Sequence, residues 1–333
     1  MKNDYRMTLS EHHKSFKNLI PPTIAISIVI PTYNKAEHLA RLLPSLLAQR
    51  FDHQSFEIII VDDGSTDTTP AIAELYKDQF PHYTYIQQKN AGIGSARNAG
   101  LMSARGELVS FLADDYVLDP EYLTKMSSAF TDPEIHGIRP LFSSLGKSSV
   151  EMAFQILQFD PFKQSSQTAL NKIYRAPIPF SWGGASMTRR QVFDDFGPFH
   201  DSFSTGEDSE YAWRLAKSNI HIHIFDEVLF QIKNRTSFLQ ANRRLYEYAF
   251  NGVRMKRQLG YAGPLSAKSS KPPLALRLMR LVTKPIINSF RHTGDFFQAL
   301  RIIPVAYCMT VVMIFGLVCG RLSVQKQKQV SCD

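Results

Sequence analysis

The sequence predicts an α/β domain built on a largely parallel sheet. Two patterns predict it. Short β-branched runs alternate with segments of helical periodicity, and the runs end in polar turns: PTYN at Pro31 to Asn34, VDDGSTD from Val61, and FLADDY at Phe111 to Tyr116. In open sheets of this kind ligands sit beyond the carboxyl ends of the strands, so these turns are expected to face one crevice.

The elements follow in order. ISIVIP, Ile26 to Pro31, reads as a buried strand. A helix follows, with Leu39, Leu42, Leu43, Leu46 and Leu47 on one side. FEIIIVDD, Phe56 to Asp63, is a second strand, and a helix is expected near Thr69 to Phe80. HYTYIQQ, His82 to Gln88, reads as a third strand, Ser95 to Ala104 as a helix and Glu107 to Leu112 as a fourth strand. From Tyr122 to Tyr174 the pattern is indistinct. SWGGASM, Ser181 to Met187, reads as a strand whose glycines permit close backbone approach. Ser209 to Lys217 is helical, HIHIF (His221 to Phe225) a strand, and Phe238 to Leu259 a long helix. Gly260 to Pro273 is a linker by composition.

Composition narrows the class. The 333 residues are 44% hydrophobic and 20% charged, a globular balance without internal repeats, which excludes solenoids and propellers. The three cysteines, Cys308, Cys319 and Cys332, have no zinc-ligand spacing and cannot close a disulfide framework, so a reducing compartment is expected. Charge is divided. From Arg235 onward there are 16 Lys and Arg against 3 Asp and Glu, a net +13, while the preceding residues carry −5. Leu274 to Phe290 is basic and amphipathic, and Ile302 to Gly320 is uncharged between Arg301 and Arg321. As a helix that run reaches ~28 Å, close to a bilayer core. An anionic membrane surface is the partner this tail predicts. Nucleic acid is not, because its basic residues interleave with aliphatic rather than stacking aromatic ones. Ile20 to Pro31 is too short and proline-broken for a signal peptide, so the remaining candidates are expected on the cytoplasmic side of the membrane.

Asp114 and Asp115 place two like charges where an apolar run stops. A divalent cation, Mn²⁺ or Mg²⁺, relieves that repulsion and takes oxygen ligands from carboxylates and substrate phosphates. The bland alternative is a helix cap or a solvated loop. Asp62 and Asp63 add a second pair at a strand end, able to accept N–H groups of a nucleobase or to close an ordinary Asx-type turn. GIGSAR, Gly92 to Arg97, half-matches a dinucleotide fingerprint but has Arg97 where the last glycine belongs.

Four segments together resemble the inverting, nucleotide-sugar-dependent glycosyltransferases of family 2, which have the GT-A fold: SIVIPTYNKAEHLARLLPSLLAQ, FEIIIVDDGSTD, QQKNAGIGSARNAGLMSARGELVSFLADDY and GGASMTRRQVFDDFGPFHDSFSTGEDSEYAWRL. The likeness covers roughly Ile26 to Phe225. It implies a GT-A fold with a mainly parallel central sheet flanked by helices, followed here by a helical membrane-associated tail. It divides the chain into an N-terminal extension (1–23), a catalytic domain (24–234, with a nucleotide-binding half 24–116 and an acceptor-binding half 117–234), a helix (235–260) and a basic, apolar tail (261–333). The family roles place Pro31, Thr32 and Tyr33 in the nucleoside site with Asp63 on the base, and Arg97 on the donor side. Asp115 stands at the metal position, with Asp114 beside it nearer the ribose or sugar. Asp208, with Glu207 adjacent, stands where the family keeps its catalytic base, and Trp182, Gly183 and Gly184 form the acceptor-side loop.

The resemblance implies transfer of a sugar from a nucleoside diphosphate donor, UDP favoured, to a hydroxyl of a glycan or lipid-linked acceptor, in surface or extracellular polysaccharide synthesis. One departure is Ala113, where many members carry an Asp. Two rivals are a sugar nucleotidyltransferase and a non-catalytic nucleotide-sugar binder. PTYNKAEH lacks the Gly-rich basic loop the first requires, and an intact GEDSE speaks against the second.

Overall fold

The computed structural model describes residues 24–146, 148–159, 173–175, 184–201, 206–220, 222–233, 237–258, 283, 285–287, 289–290 and 295–330. These fall into two compact units. One contains the described residues of Met1–Ser143 and Thr168–Ile232, the other those of Ser144–Gln167 and Lys233–Asp333.

The first unit is a mixed sheet flanked by helices. Its elements are β1 (Ile26–Thr32), α1 (Ala36–Leu47), β2 (Phe56–Asp62), α2 (Thr69–Leu75), β3 (Tyr83–Gln87), α3 (Ile93–Ser103), β4 (Leu108–Phe111), β5 (Tyr116–Leu118), α4 (Tyr122–Ser128) and β6 (Gly137–Ser144). After α5 (Ser149–Phe159), which belongs to the second unit, come β7 (Ile173–Arg175), β8 (Ser186–Arg189), α6 (Arg190–Phe196), α7 (Glu207–Ala216) and β9 (His223–Ile232). The sheet order is β3-β2-β1-β4-β8-β6-β9-β5, with β7 on β9. β3, β2, β1 and β4 are parallel, whereas β8 pairs antiparallel with β4 and β6, and β9 with β5 and β7. Parallel pairing joins the first four strands.

β1 and β2 are buried along their whole lengths, which is why their β-branched runs do not alternate with polar residues. Leu39, Leu42, Leu43 and Leu46 of α1 are fully buried with Ile28, Ile30, Ile58 and Ile60. Each such side chain contributes about 1.5–3 kcal/mol relative to exposure. α3 covers Val29 and Val61, where Gly100 lies directly over them. Away from the crevice, buried Glu57 accepts Ser27 Oγ at 2.6 Å, Arg105 N–H at 2.7 Å and Arg105 Nε at 2.8 Å. Those donors satisfy a carboxylate that would be costly to bury alone.

Several sequence expectations need correction. The helix expected near Thr69 to Phe80 ends at Leu75, followed by a 3-10 turn at Lys77–Gln79. Phe80 turns extended and packs on Phe56, 6.5 Å between ring centres, so tertiary packing overrides helical propensity. The strand expected over Ser181 to Met187 begins at Ser186, because Gly184 and Ala185 form a turn. The short strand at His221 to Phe225 runs on from His223 to Ile232, drawn out by pairing with both β7 and β5. Asp226 and Glu227 interrupt its apolar run and hide it from pattern reading.

The second unit packs α5 with α8 (Phe238–Gln258) and α9 (Phe296–Val330). Ala153, Phe154, Ala241, Leu245, Ile302, Ala306 and Met309 form its core. The uncharged run Ile302 to Gly320 lies within α9. The linker at Gly260 to Pro273 lies outside the described residues, as does most of the basic stretch that follows it.

Candidate active site

The loops after β1 and β2 are tied together by side chains. Asn34 adopts left-handed backbone (φ +52°), which a short amide tolerates better than most residues. Its Oδ1 accepts the N–H of Thr66 at 2.8 Å and of Asp67 at 3.2 Å, and its own N–H donates to Ser65 Oγ at 2.8 Å. Asp67 reaches back, accepting the Ala36 N–H at 3.3 Å and the Thr69 N–H at 2.9 Å. Burial opposes ionisation of Asp67, but hydrogen bonds from Thr69 and Ala36 outweigh it and hold the carboxyl below its ordinary range.

The first carboxylate pair is enclosed. Fully buried Asp62 accepts the Ser65 N–H at 2.7 Å and the Tyr85 hydroxyl at 2.6 Å. Burial, and then that bond to Asp62, push the Tyr85 phenol above its usual range. Asp63 Oδ1 accepts Gln88 Nε2 at 2.7 Å and the Ala91 N–H at 2.8 Å, and its Oδ2 accepts the Gly92 N–H at 2.9 Å. Asp63 thereby fixes the loop that starts α3.

The second pair follows β4. Asp114 Oδ2 accepts Thr32 Oγ1 at 2.9 Å, and its Oδ1 lies 3.8 Å from His38 Nδ1, so the ends of β1 and β4 are joined at this carboxylate. Asp115 leads into Tyr116, whose hydroxyl occupies the space a Cβ at position 184 would need. Gly184 is therefore required by close approach, and Ala185 beside it takes a left-handed turn (φ +57°). The Ala185 N–H donates to the Phe111 carbonyl at 2.8 Å, which ties the turn to β4.

α7 enters from the far part of the sequence. Gly206, left-handed at φ +94°, turns the chain so that Glu207 and Asp208 open the helix. Buried Arg97 of α3 donates to Glu207 Oε1 and lies over the Phe199 ring at 5.4 Å. Asn98 and the Phe199 backbone exchange hydrogen bonds of 2.9 and 3.0 Å, a second tie between α3 and this region. Asp208 Oδ1 accepts its neighbour's N–H, from Ser209, at 2.6 Å. Buried Arg139 of β6 interacts electrostatically with Tyr116, Asp208 and Tyr122. Burial pulls its pKa below the usual guanidinium range, and those three neighbours oppose the shift.

The structure thus brings Thr32 to Asp114, Asp63 to the start of α3, and Arg97 to Glu207, and it sets Asp208 within the field of Arg139, which also interacts with Tyr116. Pro31 is buried in β1, and Tyr33 next to it is 46% exposed. Trp182 and Gly183 lie outside the described residues. Sequence reading placed Asn34 only as the end of the PTYN turn, without its cross-loop bonds, and missed Arg139. Asn34 carried a usable signal, a turn-forming residue directly after a strand. Arg139 carried none, since the segment around it had no readable pattern. Among the described residues, no three His, Cys, Asp or Glu side chains form a cluster able to hold a metal. The two adjacent aspartates still offer the hard oxygen donors that Mg²⁺ or Mn²⁺ combines with substrate oxygens.

The sequence profile of Glycosyl transferase family 2 matches residues 27–197. The chain belongs to this family. It is 30% identical over 251 residues to EpsH of Bacillus subtilis (strain 168), a protein named as a glycosyltransferase, covering 68% of this chain and 72% of EpsH. This family 2 chain also resembles solved structures. One is the mannosyltransferase PcManGT from Pyrobaculum calidifontis, in complex with GDP-Man and Mn²⁺: TM-score 0.60, 15% identity, 95% of this chain and 97% of that one. Another is residues 1–349 of TarS from S. aureus: TM-score 0.51, 19% identity, 88% and 92%. The fold is accordingly GT-A, and this family 2 member is a glycosyltransferase.

Proposed function

We propose that this enzyme is an inverting glycosyltransferase that moves a sugar from a nucleoside diphosphate donor to a hydroxyl of a glycan or lipid-linked acceptor. UDP is the favoured carrier, and the reaction serves surface or extracellular polysaccharide synthesis on the cytoplasmic side of a membrane. One observation carries the reading: contacts between residues distant in sequence gather three strand ends and the starts of α3 and α7 into one region. The neighbours lend support, since PcManGT was solved with GDP-Man and Mn²⁺ and TarS with UDP-GlcNAc.

In this reading 24–116 form the donor half and 117–234 the acceptor half of the catalytic domain, with the helix 235–260 and the tail 261–333 beyond it. Pro31, Thr32 and Tyr33 line the nucleoside site. Asp63 Oδ2, which accepts one bond from Gly92, retains a lone pair for a nucleobase N–H. A divalent cation, Mn²⁺ or Mg²⁺, held by Asp115 and Asp114 would stabilise the charge that builds on the departing diphosphate. Asp208 takes the acceptor hydroxyl's proton as the oxygen attacks the anomeric carbon and the sugar–phosphate bond breaks. Glu207 is engaged by Arg97, and the two position α7 rather than move protons. Gly184, with Trp182 and Gly183 before it, forms the acceptor-side loop. The tail from Arg235 associates with anionic lipid through its net +13 charge and its apolar run.

Replacing Asp208 with Asn tests the assignment. Asp208→Asn is expected to bind nucleoside diphosphate in calorimetry as the wild type does, while turnover falls about 10²–10⁴-fold, the range for loss of a general base. Unchanged turnover removes Asp208 from the mechanism.

A further inference from the structure

Helix α9 has two apolar faces with different fates. One is covered: Ile302, Ala306 and Met309 are fully buried with Ala241 and Leu245 of α8. The same face continues to Gly316, where a Cβ would stand 2.8 Å from the Tyr246 carbonyl oxygen and 3.0 Å from the Ala249 Cβ. The two helices thus approach closely at Gly316, on the seam between them. The opposite face recurs at helical spacing and is open. Phe297, Leu300, Val311, Val318 and Leu322 are 46–74% exposed, and Cys308 is exposed among them. From Phe297 to Leu322 this stripe runs ~37 Å at 1.5 Å per residue.

By length and composition α9 could cross a bilayer. Its partner could not follow. Beside the seam, α8 carries Arg243, Arg244 and Glu247, ion-paired at 3.1 and 3.3 Å, with the Arg243 side chain 81% exposed. A spanning α9 packed in this way would carry all three ions into hydrocarbon, where ionised side chains are costly and rare. Laid flat, the same pair of helices separates the two surfaces: the stripe faces one way, and the polar outer side of α8 stays in water.

We infer that α9 lies in the plane of the membrane, its open stripe seated at the acyl-chain boundary and its packed face turned toward α8 and α5. The occupant of the stripe is anionic lipid. The run Ile302 to Gly320 has no charge to keep it in water, exposed Arg301 stands where the run begins, and the region from Arg235 carries a net +13. An apolar face on a chain segment this cationic is what an interfacial helix requires. The inference rests on the membrane association proposed above and specifies its geometry.

The full-length chain, with Cys308→Ser, Cys319→Ser and Cys332→Ser, supplies the test. Single cysteines introduced in turn from position 303 to 318 are spin-labelled and bound to vesicles of equal parts phosphatidylcholine and phosphatidylglycerol. Immersion depth is read from relative exposure to oxygen and to a polar nickel chelate. An in-plane helix gives a depth that oscillates every 3.6 residues, deepest at 308, 311 and 318. A single maximum in the middle of the run, with shallow ends, overturns the inference in favour of a spanning or re-entrant segment while leaving membrane association intact. Chains that do not bind the vesicles at all defeat the membrane reading itself. If such chains instead form a dimer in solution that Val311→Glu with Val318→Glu dissociates, the stripe belongs to a second copy. In vesicle-binding chains the same double substitution is expected to weaken cosedimentation at least about tenfold, from lost apolar burial.

Discussion

Two pairs of adjacent aspartates end strands on either side of β1, and the structure uses them differently. Asp62, the last residue of β2, and Asp63 beside it receive Ser65, Tyr85, Gln88, Ala91 and Gly92, all from the chain that follows them. Asp114, after β4, takes a hydrogen bond from Thr32 and has His38 at 3.8 Å. The first pair shapes loops, whereas the second sits where loops converge. An identical dipeptide near two neighbouring strand ends therefore serves different ties: Asp62 and Asp63 hold the loop that follows them, and Asp114 joins the ends of β1 and β4.

Substitutions should separate the two pairs. The largest effect is expected at the second. Asp115→Asn should lower turnover by at least about 10²-fold in Mn²⁺, since a bound cation supplies several kcal/mol at the transition state. Its unfolding free energy should fall by no more than about 1 kcal/mol, far less than the loss in turnover, since Asn keeps the shape of the side chain. Titration of EDTA against the wild type should reproduce the loss, and full activity in EDTA would remove the cation from the scheme. Next in size is Asp62→Ala, which orphans the Ser65 N–H and the Tyr85 hydroxyl. At about 1–3 kcal/mol per unsatisfied buried group, two groups span about 2–6 kcal/mol, and because Ser65 and Tyr85 are half-buried, chemical denaturation should show a loss near the lower end of that range. Residual folded Asp62→Ala protein should keep its response to Mn²⁺; a lost metal response with unchanged stability would reverse the roles of the two pairs.

The smallest effect concerns Asp67, which is largely solvent-exposed. Its folded pKa lies below the ordinary 3.8, so its contribution is present above that value and disappears as pH falls through the lowered folded value. The gap in denaturation midpoint between wild type and Asp67→Asn should be constant from pH 7 to about pH 5 and close on further acidification. A gap independent of pH would mean that Asp67 acts through its shape rather than its charge.

Much of this architecture is written locally. β1 and β2 were legible because continuous β-branched runs bounded by turn residues have few other meanings. The strand-end aspartates were legible because the sheet's topology dictates where carboxyl ends lead. β5 and β6 were not, since three residues, or a strand interrupted by Pro140, give no period to read. Arg139 was invisible for that reason. α5 looked like part of the indistinct stretch because its packing partners, Ala241 and Ile302 among them, lie far along the chain. The same remoteness hid the engagement of Glu207, 110 residues from Arg97.

That last pairing has a mechanical consequence. A guanidinium and a carboxylate sealed from water cannot part without stranding an ion in the protein interior. α7, which bears the proposed proton acceptor, and α3, beside the proposed donor loop, are therefore riveted to each other. In the proposed reading, the spacing between those two helices is set by folding and not by the arrival of a sugar.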